Sequence, residues 1–158
     1  MKVLIVYDSY FGNTEKIARS IGNTHDSNQT VEIVRASDIM TDQLTGAELL
    51  IVGSPTRAFR PTKGIMNFLK SIPSHSLDGV RVAAFDTRIS TDDIDSRMLK
   101  KLVHLFGYAA KPISDRLVKR GGILIIPPEG FYVQDNEGPL KDGEIERAAE
   151  WGKHIIAK

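Results

Sequence analysis

Five short apolar runs, each followed by a stretch with helical spacing, constrain this chain more than any other feature. They are Val3-Leu4-Ile5-Val6-Tyr7, Val31-Glu32-Ile33-Val34, Leu49-Leu50-Ile51-Val52, Val80 to Phe85 and Ile123-Leu124-Ile125-Ile126. A continuous apolar run of four to six residues bounded by turn residues is the pattern of a strand buried on both faces. The second run carries a charge and suits a more exposed place. Between the runs, Ile17, Ala18 and Ile21 mark a first helix stopped by Gly22-Asn23, and Ile65, Met66, Leu69 and Ile72 mark another stopped by Pro73. Leu99, Leu102, Val103, Phe106, Ala110, Ile113 and Leu117 trace the face of a third, with Asp92, Asp93 and Asp95 at its start and Gly107 as its point of division. Pro127-Pro128-Glu129-Gly130 bends the chain after the fifth run, before Phe131-Tyr132-Val133. The last helix turns Ile145, Ala148, Ala149, Gly152, Ile155 and Ile156 inward, with Trp151 packing helix to sheet.

Strand and helix therefore alternate five times. That order predicts an α/β fold: a doubly wound, five-stranded parallel sheet with helices on both faces. At 158 residues the chain is expected to be one domain, 1–158. In such sheets ligands bind outside the carboxyl ends of the strands. Three loops are expected there: Asp8 to Asn13, Ser54 to Pro61, and Asp86 to Ser90.

The first of these loops reads Ser9-Tyr10-Phe11-Gly12-Asn13-Thr14 and joins a strand to a helix. A helix N-terminus leaves backbone N–H groups unpaired, with the positive end of the helix dipole behind them, and so favours an anion. Ser9, Thr14 and Tyr10 add hydroxyls, Asn13 an amide, and Gly12 a backbone free to approach a ligand. The loop contains no Lys or Arg. It lacks the Gly-Lys-Ser/Thr ending of a triphosphate site and the G-x-G-x-x-G of a dinucleotide site, so its guest is a phosphate monoester. The alternative is an ordinary turn with Thr14 or Asn13 as N-cap.

Composition narrows the chemistry. The formal net charge is +1, which offers no bulk attraction for nucleic acid or an anionic membrane. No apolar run is long enough to span a bilayer and no cleavable leader pattern precedes the first strand, so the expected compartment is cytoplasmic. The chain has no cysteine, which removes disulfides, thiolate metal sites and Cys nucleophiles, and leaves any redox chemistry to a bound cofactor. His25, His75, His104 and His154 never fall at metal-ligand spacing, and no metal site is expected.

The pattern Ile5-Val6-Tyr7-x-Ser9-x-x-Gly12-x-Thr14-x-x-x-Ala18 resembles the flavodoxin signature, and the five strand-helix units fit the short-chain flavodoxin layout, strand order 2-1-3-4-5. Gly53-Ser54-Pro55-Thr56-Arg57 is similar to the second flavin loop of the wider flavodoxin-like group, which includes FMN-dependent quinone reductases. The resemblance implies FMN as cofactor. It implies that Ser9, Tyr10, Phe11, Gly12, Asn13 and Thr14 hold the phosphate. Ser54, Pro55, Thr56, Arg57, Ala58 and Phe59, with Asp86, Thr87 and Arg88, would flank the ribityl chain and the ring. No catalytic residue is assigned, because the flavin supplies the chemistry.

Three departures from the family pattern bear on function. Carriers are typically strongly acidic, whereas this chain is nearly neutral and puts Arg57, Arg60, Lys63 and Arg88 near the expected ring. Carriers sandwich the ring between Trp and Tyr; here the second loop offers Phe59 and the third offers no aromatic. Carriers often place Gly beside the ring, whereas this loop reads Arg57-Ala58-Phe59, where positive φ costs about 1 kcal/mol. A stiffer loop and weaker stabilisation of the one-electron-reduced flavin are expected. The arginines are either solvated charges, with Arg88 paired to Asp86 or Asp92, or a cationic rim that offsets charge on reduced flavin and docks an acidic partner or an NAD(P)H phosphate.

The leading functional expectation is an FMN electron-transfer protein that shuttles electrons between a reductase and an acceptor protein. An FMN-dependent NAD(P)H or quinone reductase is the alternative, and a flavin-free binding protein on the same fold is a third. A response-regulator receiver would end its third strand in a phosphoacceptor Asp, where Gly53-Ser54 stands.

Overall fold

The computed structural model describes residues 1–157. Its strands are β1 (Lys2–Tyr7), β2 (Thr30–Arg35), β3 (Leu49–Pro55), β4 (Arg81–Ile89), β5 (Ile123–Leu124) and β6 (Glu129–Val133). The helices are α1 (Asn13–Gly22), α2 (Lys63–Ser71), α3 (Arg97–Phe106), α4 (Ala110–Lys119) and α5 (Glu144–Ile156). All strand pairs are parallel, in the order β2-β1-β3-β4-β5, and β6 also pairs with β4. The expected topology is the observed one.

Residues alternate between two cores along each strand, as the two-residue period of a strand requires. Val3, Ile5, Leu49, Ile51, Ala83 and Phe85 face α1 and α5; Leu4, Val6, Leu50, Val52, Val82 and Ala84 face α2 and α4. Both faces are covered, which explains the uninterrupted apolar runs. Phe85 anchors the first core with Phe131 and Trp151 in edge-on contacts at 6.0 and 6.3 Å. Its ring lies against Gly53, where an added Cβ would fall 2.0 Å from Phe85 Cζ.

The fifth position of the sheet is split. From Val82 to Phe85 β4 advances three residues, while its partner advances five, from Leu124 to Glu129. The two extra residues bulge out at Pro127-Pro128, which have no N–H to give the ladder. The segment Glu129–Val133 then rejoins the sheet, so the bend predicted from the prolines is a bulge within one edge.

Two boundaries differ from the sequence expectation, and one division falls where it was expected. β4 runs on through Ile89, so Asp86-Thr87-Arg88 lies within the strand, held there by its pairing with β6. The long third-face pattern divides at Gly107, as expected, where φ is +72°. Asp92 and Asp93 sit on a short 3-10 turn, and α3 starts later, at Arg97, where Ser96 Oγ accepts from Leu99 N–H at 3.2 Å.

Candidate functional site

At the carboxyl ends of β1, β3 and β4 the surface opens into a cleft of ≈ 210 Å³. Its floor and first wall come from the β1–α1 loop. The first backbone hydrogen bond of α1 runs from Lys16 N–H to Gly12 O at 3.1 Å, so the N–H groups of Asn13, Thr14 and Glu15 precede it. Neither Thr14 nor Asn13 acts as the N-cap. That place is Gly12, with φ +89° and no side-chain cap. The side chains that might have capped are engaged elsewhere. Thr14 Oγ1 bonds Thr87 Oγ1 at 2.8 Å, Asn13 Nδ2 donates to Glu137 O at 3.0 Å, and Ser9 Oγ accepts from Gly12 N–H at 3.0 Å. Three helix N–H groups without a helical partner and the hydroxyls of Ser9 and Thr14 thus belong to one short loop without a cation, a donor set suited to a phosphate monoester.

The second loop is a tight hairpin. Arg57 and Arg60 exchange backbone hydrogen bonds of 2.8 and 3.0 Å. Both central residues have positive φ, 47° at Ala58 and 68° at Phe59. Positive φ at both central residues is one of the two conformations in which a two-residue hairpin matches the strand twist, and the pair Arg57–Arg60 holds it despite a cost of about 1 kcal/mol per non-Gly residue. The loop thus already holds positive φ at two non-Gly residues.

Ser54, Asp86 and Gly12 do not line the cleft, although the other twelve expected residues do. Ser54 is fully buried and its Oγ accepts from Thr62 N–H at 3.0 Å; Thr62 in turn donates to Asp8 Oδ2 at 2.5 Å. These bonds hold the second loop on the sheet. Asp86 is fully buried and takes both guanidinium bonds of Arg88, at 2.6 and 2.7 Å, and Ala110 N–H at 2.8 Å. Burial pushes its carboxyl up, against the pull of Arg88. Arg88 is thus a paired, mostly buried cation rather than a solvated one, and its guanidinium stacks 3.8 Å over the Tyr108 ring.

Sequence reasoning missed Ile89, Ile94, Leu99, Val103, Tyr108, Val133 and Asn136, all in the cleft wall. Tyr108 supplies the aromatic that the third loop lacks. It stands twenty residues beyond Arg88, behind the Gly107 break, and only that break hinted that its position was special. The cleft so formed is apolar and aromatic, with Phe11, Phe59 and Tyr108 in its walls. Its charged wall residues are Arg57 and Arg88, and no carboxylate lines it among the described residues. Arg57 lies 5.4 Å over Tyr10 and 5.7 Å over Phe11, at the rim.

The family model described as Flavodoxin domain matches residues 4–114, which contain every strand, loop and helix start that builds this cleft except β6 and its following loop. The chain belongs to the flavodoxin family. A flavodoxin of Clostridium saccharobutylicum is 28% identical over 163 residues, covering 100% of this chain and 97% of that one. Among solved structures, a flavodoxin from the domain Archaea superposes with a TM-score of 0.78 at 24% identity, covering 99% of this chain and 97% of that one. Oxidised Flavodoxin 2 from Bacillus cereus gives 0.78 at 23% identity, covering 99% and 98%. FMN is the cofactor of this family. The cleft fits it on its own terms: neutral donors for one phosphate sit beside an apolar, aromatic-walled slot for a flat ring.

Proposed function

We propose that this chain is an FMN electron carrier, passing electrons between a reductase and an acceptor protein, and that it works in the cytoplasm. The observation that carries the reading is the start of α1, uncapped by any side chain at Gly12, whose first residues Asn13 and Thr14 line the cleft. In this reading Asn13, Thr14 and Glu15 donate backbone N–H groups to the phosphate, and Ser9 and Thr14 add hydroxyls. Thr56, Phe59 and Tyr108 flank the ring and exclude water from it. When bound, FMN supplies one- and two-electron chemistry. The protein contributes dielectric and charge: an apolar wall, Arg57, which has no carboxylate partner among the described residues, and Arg88, neutralised by Asp86.

A second reading, an FMN-dependent NAD(P)H or quinone reductase, draws on Arg57, a cation at the rim able to meet a nucleotide phosphate. The two separate in one assay. FMN-loaded protein is mixed with NADPH, then NADH, with a soluble quinone present. A carrier turns over only after a reductase is added; turnover without one favours the enzyme.

A further inference from the structure

Helix α3 is the least buried helix of the fold, with Val103 alone buried among its ten residues. It carries two stripes. Arg97, Lys100, Lys101 and His104 recur at i, i+3, i+4 and i+7 and form one face. Beside them lie Met98 and Leu105, 72% and 74% exposed. An apolar pair left in water on a short helix is not explained by the fold, since such helices draw their stability from packing.

The helix is tied to the cleft through its last residue. The Phe106 ring packs 5.8 Å from Phe59, at the tip of the Arg57–Arg60 hairpin. Together the hairpin and α3 hold five cations, Arg57, Arg60, Arg97, Lys100 and Lys101, and no acid in 14 residues. With a net charge of +1 overall, the remaining 144 residues sum to −4. The near-neutral total hides a segregated surface. The acids just before α3, Asp92, Asp93 and Asp95, gather around Lys141 in a separate depression, with Asp93 paired to that lysine.

We propose that α3 and the 57–60 hairpin form the docking face for an acidic redox protein. The identification rests on the carrier reading and names its partner's chemistry. Charge complementarity steers such a partner onto this face, while Met98 and Leu105 supply the apolar centre that a docked complex desolvates. The helix also walls the cleft with Leu99 and Val103, so a protein seated on it lies against the cofactor edge. Of the four exposed apolar side chains on α3, Leu99 lines the cleft and Phe106 packs on Phe59, which leaves Met98 and Leu105 facing outward. These are too few for a stable seat in a bilayer, which favours a protein over a lipid surface.

The test uses the full chain loaded with FMN and two immobilised probes, an acidic [2Fe–2S] ferredoxin and the basic cytochrome c. Association is read by surface plasmon resonance at several ionic strengths. The ferredoxin is expected to bind and to weaken with salt. K100E/K101E is expected to weaken it about tenfold or more, K100Q/K101Q less, and M98S/L105S to speed its dissociation. None of these side chains lines the cleft, so FMN uptake, read by fluorescence quenching in the same samples, stays unchanged. Ferredoxin binding that ignores all three variants overturns the proposal, as does preference for cytochrome c. Recruitment of the wild type, but not M98S/L105S, to phosphatidylserine vesicles without ferredoxin binding overturns it in favour of a membrane. Failure to take up FMN sinks the carrier reading and this face with it; FMN uptake without association sinks the face alone.

Discussion

Thr14 Oγ1 and Thr87 Oγ1 lie 2.8 Å apart, both side chains buried, and join the start of α1 to β4 across 73 residues of sequence. Each hydroxyl has one proton. If Thr14 is to donate to a phosphate, Thr87 must donate to Thr14. Thr87→Val removes that donor and leaves Thr14 free to turn its proton elsewhere, at a cost of about 1 kcal/mol, or roughly fivefold in FMN affinity. Riboflavin affinity, lacking the phosphate term, is expected to change less. Parallel fluorescence titrations with the two flavins check this.

Glycines at the two ends of the site fail for different reasons. At Gly12 φ is +89° and an added Cβ meets nothing within 4 Å, so Gly12→Ala carries only the backbone penalty. That is about 1 kcal/mol, or roughly 2–4 °C in Tm for a chain of this size. Gly53→Ala drives a Cβ to within 2.0 Å of the Phe85 ring, in the middle of a core. Overpacking there is expected to cost about 1–3 kcal/mol or more. Thermal unfolding of both variants should rank Gly53→Ala as the more damaging by a clear margin.

The two cleft arginines are expected to behave oppositely. Arg57 has no carboxylate partner among the described residues and stacks on Tyr10 and Phe11, so Arg57→Gln leaves the fold intact. Its loss should lower the two-electron potential of bound FMN by tens of millivolts, roughly 30 mV per tenfold change in equilibrium. Arg88→Gln strands the buried Asp86 carboxylate, and breaking such a pair costs about 3–5 kcal/mol. Potentiometry and thermal unfolding read the two effects; an undiminished Tm in Arg88→Gln would contradict the pairing.

A second ionic network ties the sheet edge to α5. Burial pulls the Glu144 carboxyl up, but bonds from Arg147 and Tyr132 N–H and the charges of Arg147 and Lys141 outweigh it and hold it below 4.5. A carboxyl with a depressed folded value stabilises the fold above its unfolded value and loses that contribution as pH falls through the folded one. Glu144→Gln should therefore lower Tm at neutral pH, by about 1–3 kcal/mol in stability. The gap to wild type should narrow as the pH drops below 4.5.

The sheet order and both cores were legible because buried parallel strands must be apolar on both faces, and the runs Val3–Tyr7, Leu49–Val52 and Val82–Phe85 are. The uncapped, cation-free start of α1 was legible because helix N-termini and Gly have fixed consequences. The far wall was not. Tyr108, Leu99 and Val103 reach the cleft through the turn at Gly107 and the placement of α3, which no local pattern specifies. The hairpin at Ala58-Phe59 was not legible because the Arg57–Arg60 backbone pair overrides single-residue φ preference. Asp86 looked like a loop residue because β6, which extends β4 around it, follows a proline bulge.

The cradle at the start of α1 is tested most directly by comparing FMN with riboflavin on the apoprotein. Quenching titrations give both dissociation constants in one buffer. Several charge-assisted hydrogen bonds, at about 1.5–3 kcal/mol each, should make FMN the tighter ligand by roughly 100-fold or more. Equal affinity for the two flavins would mean that Ser9 to Glu15 holds no phosphate.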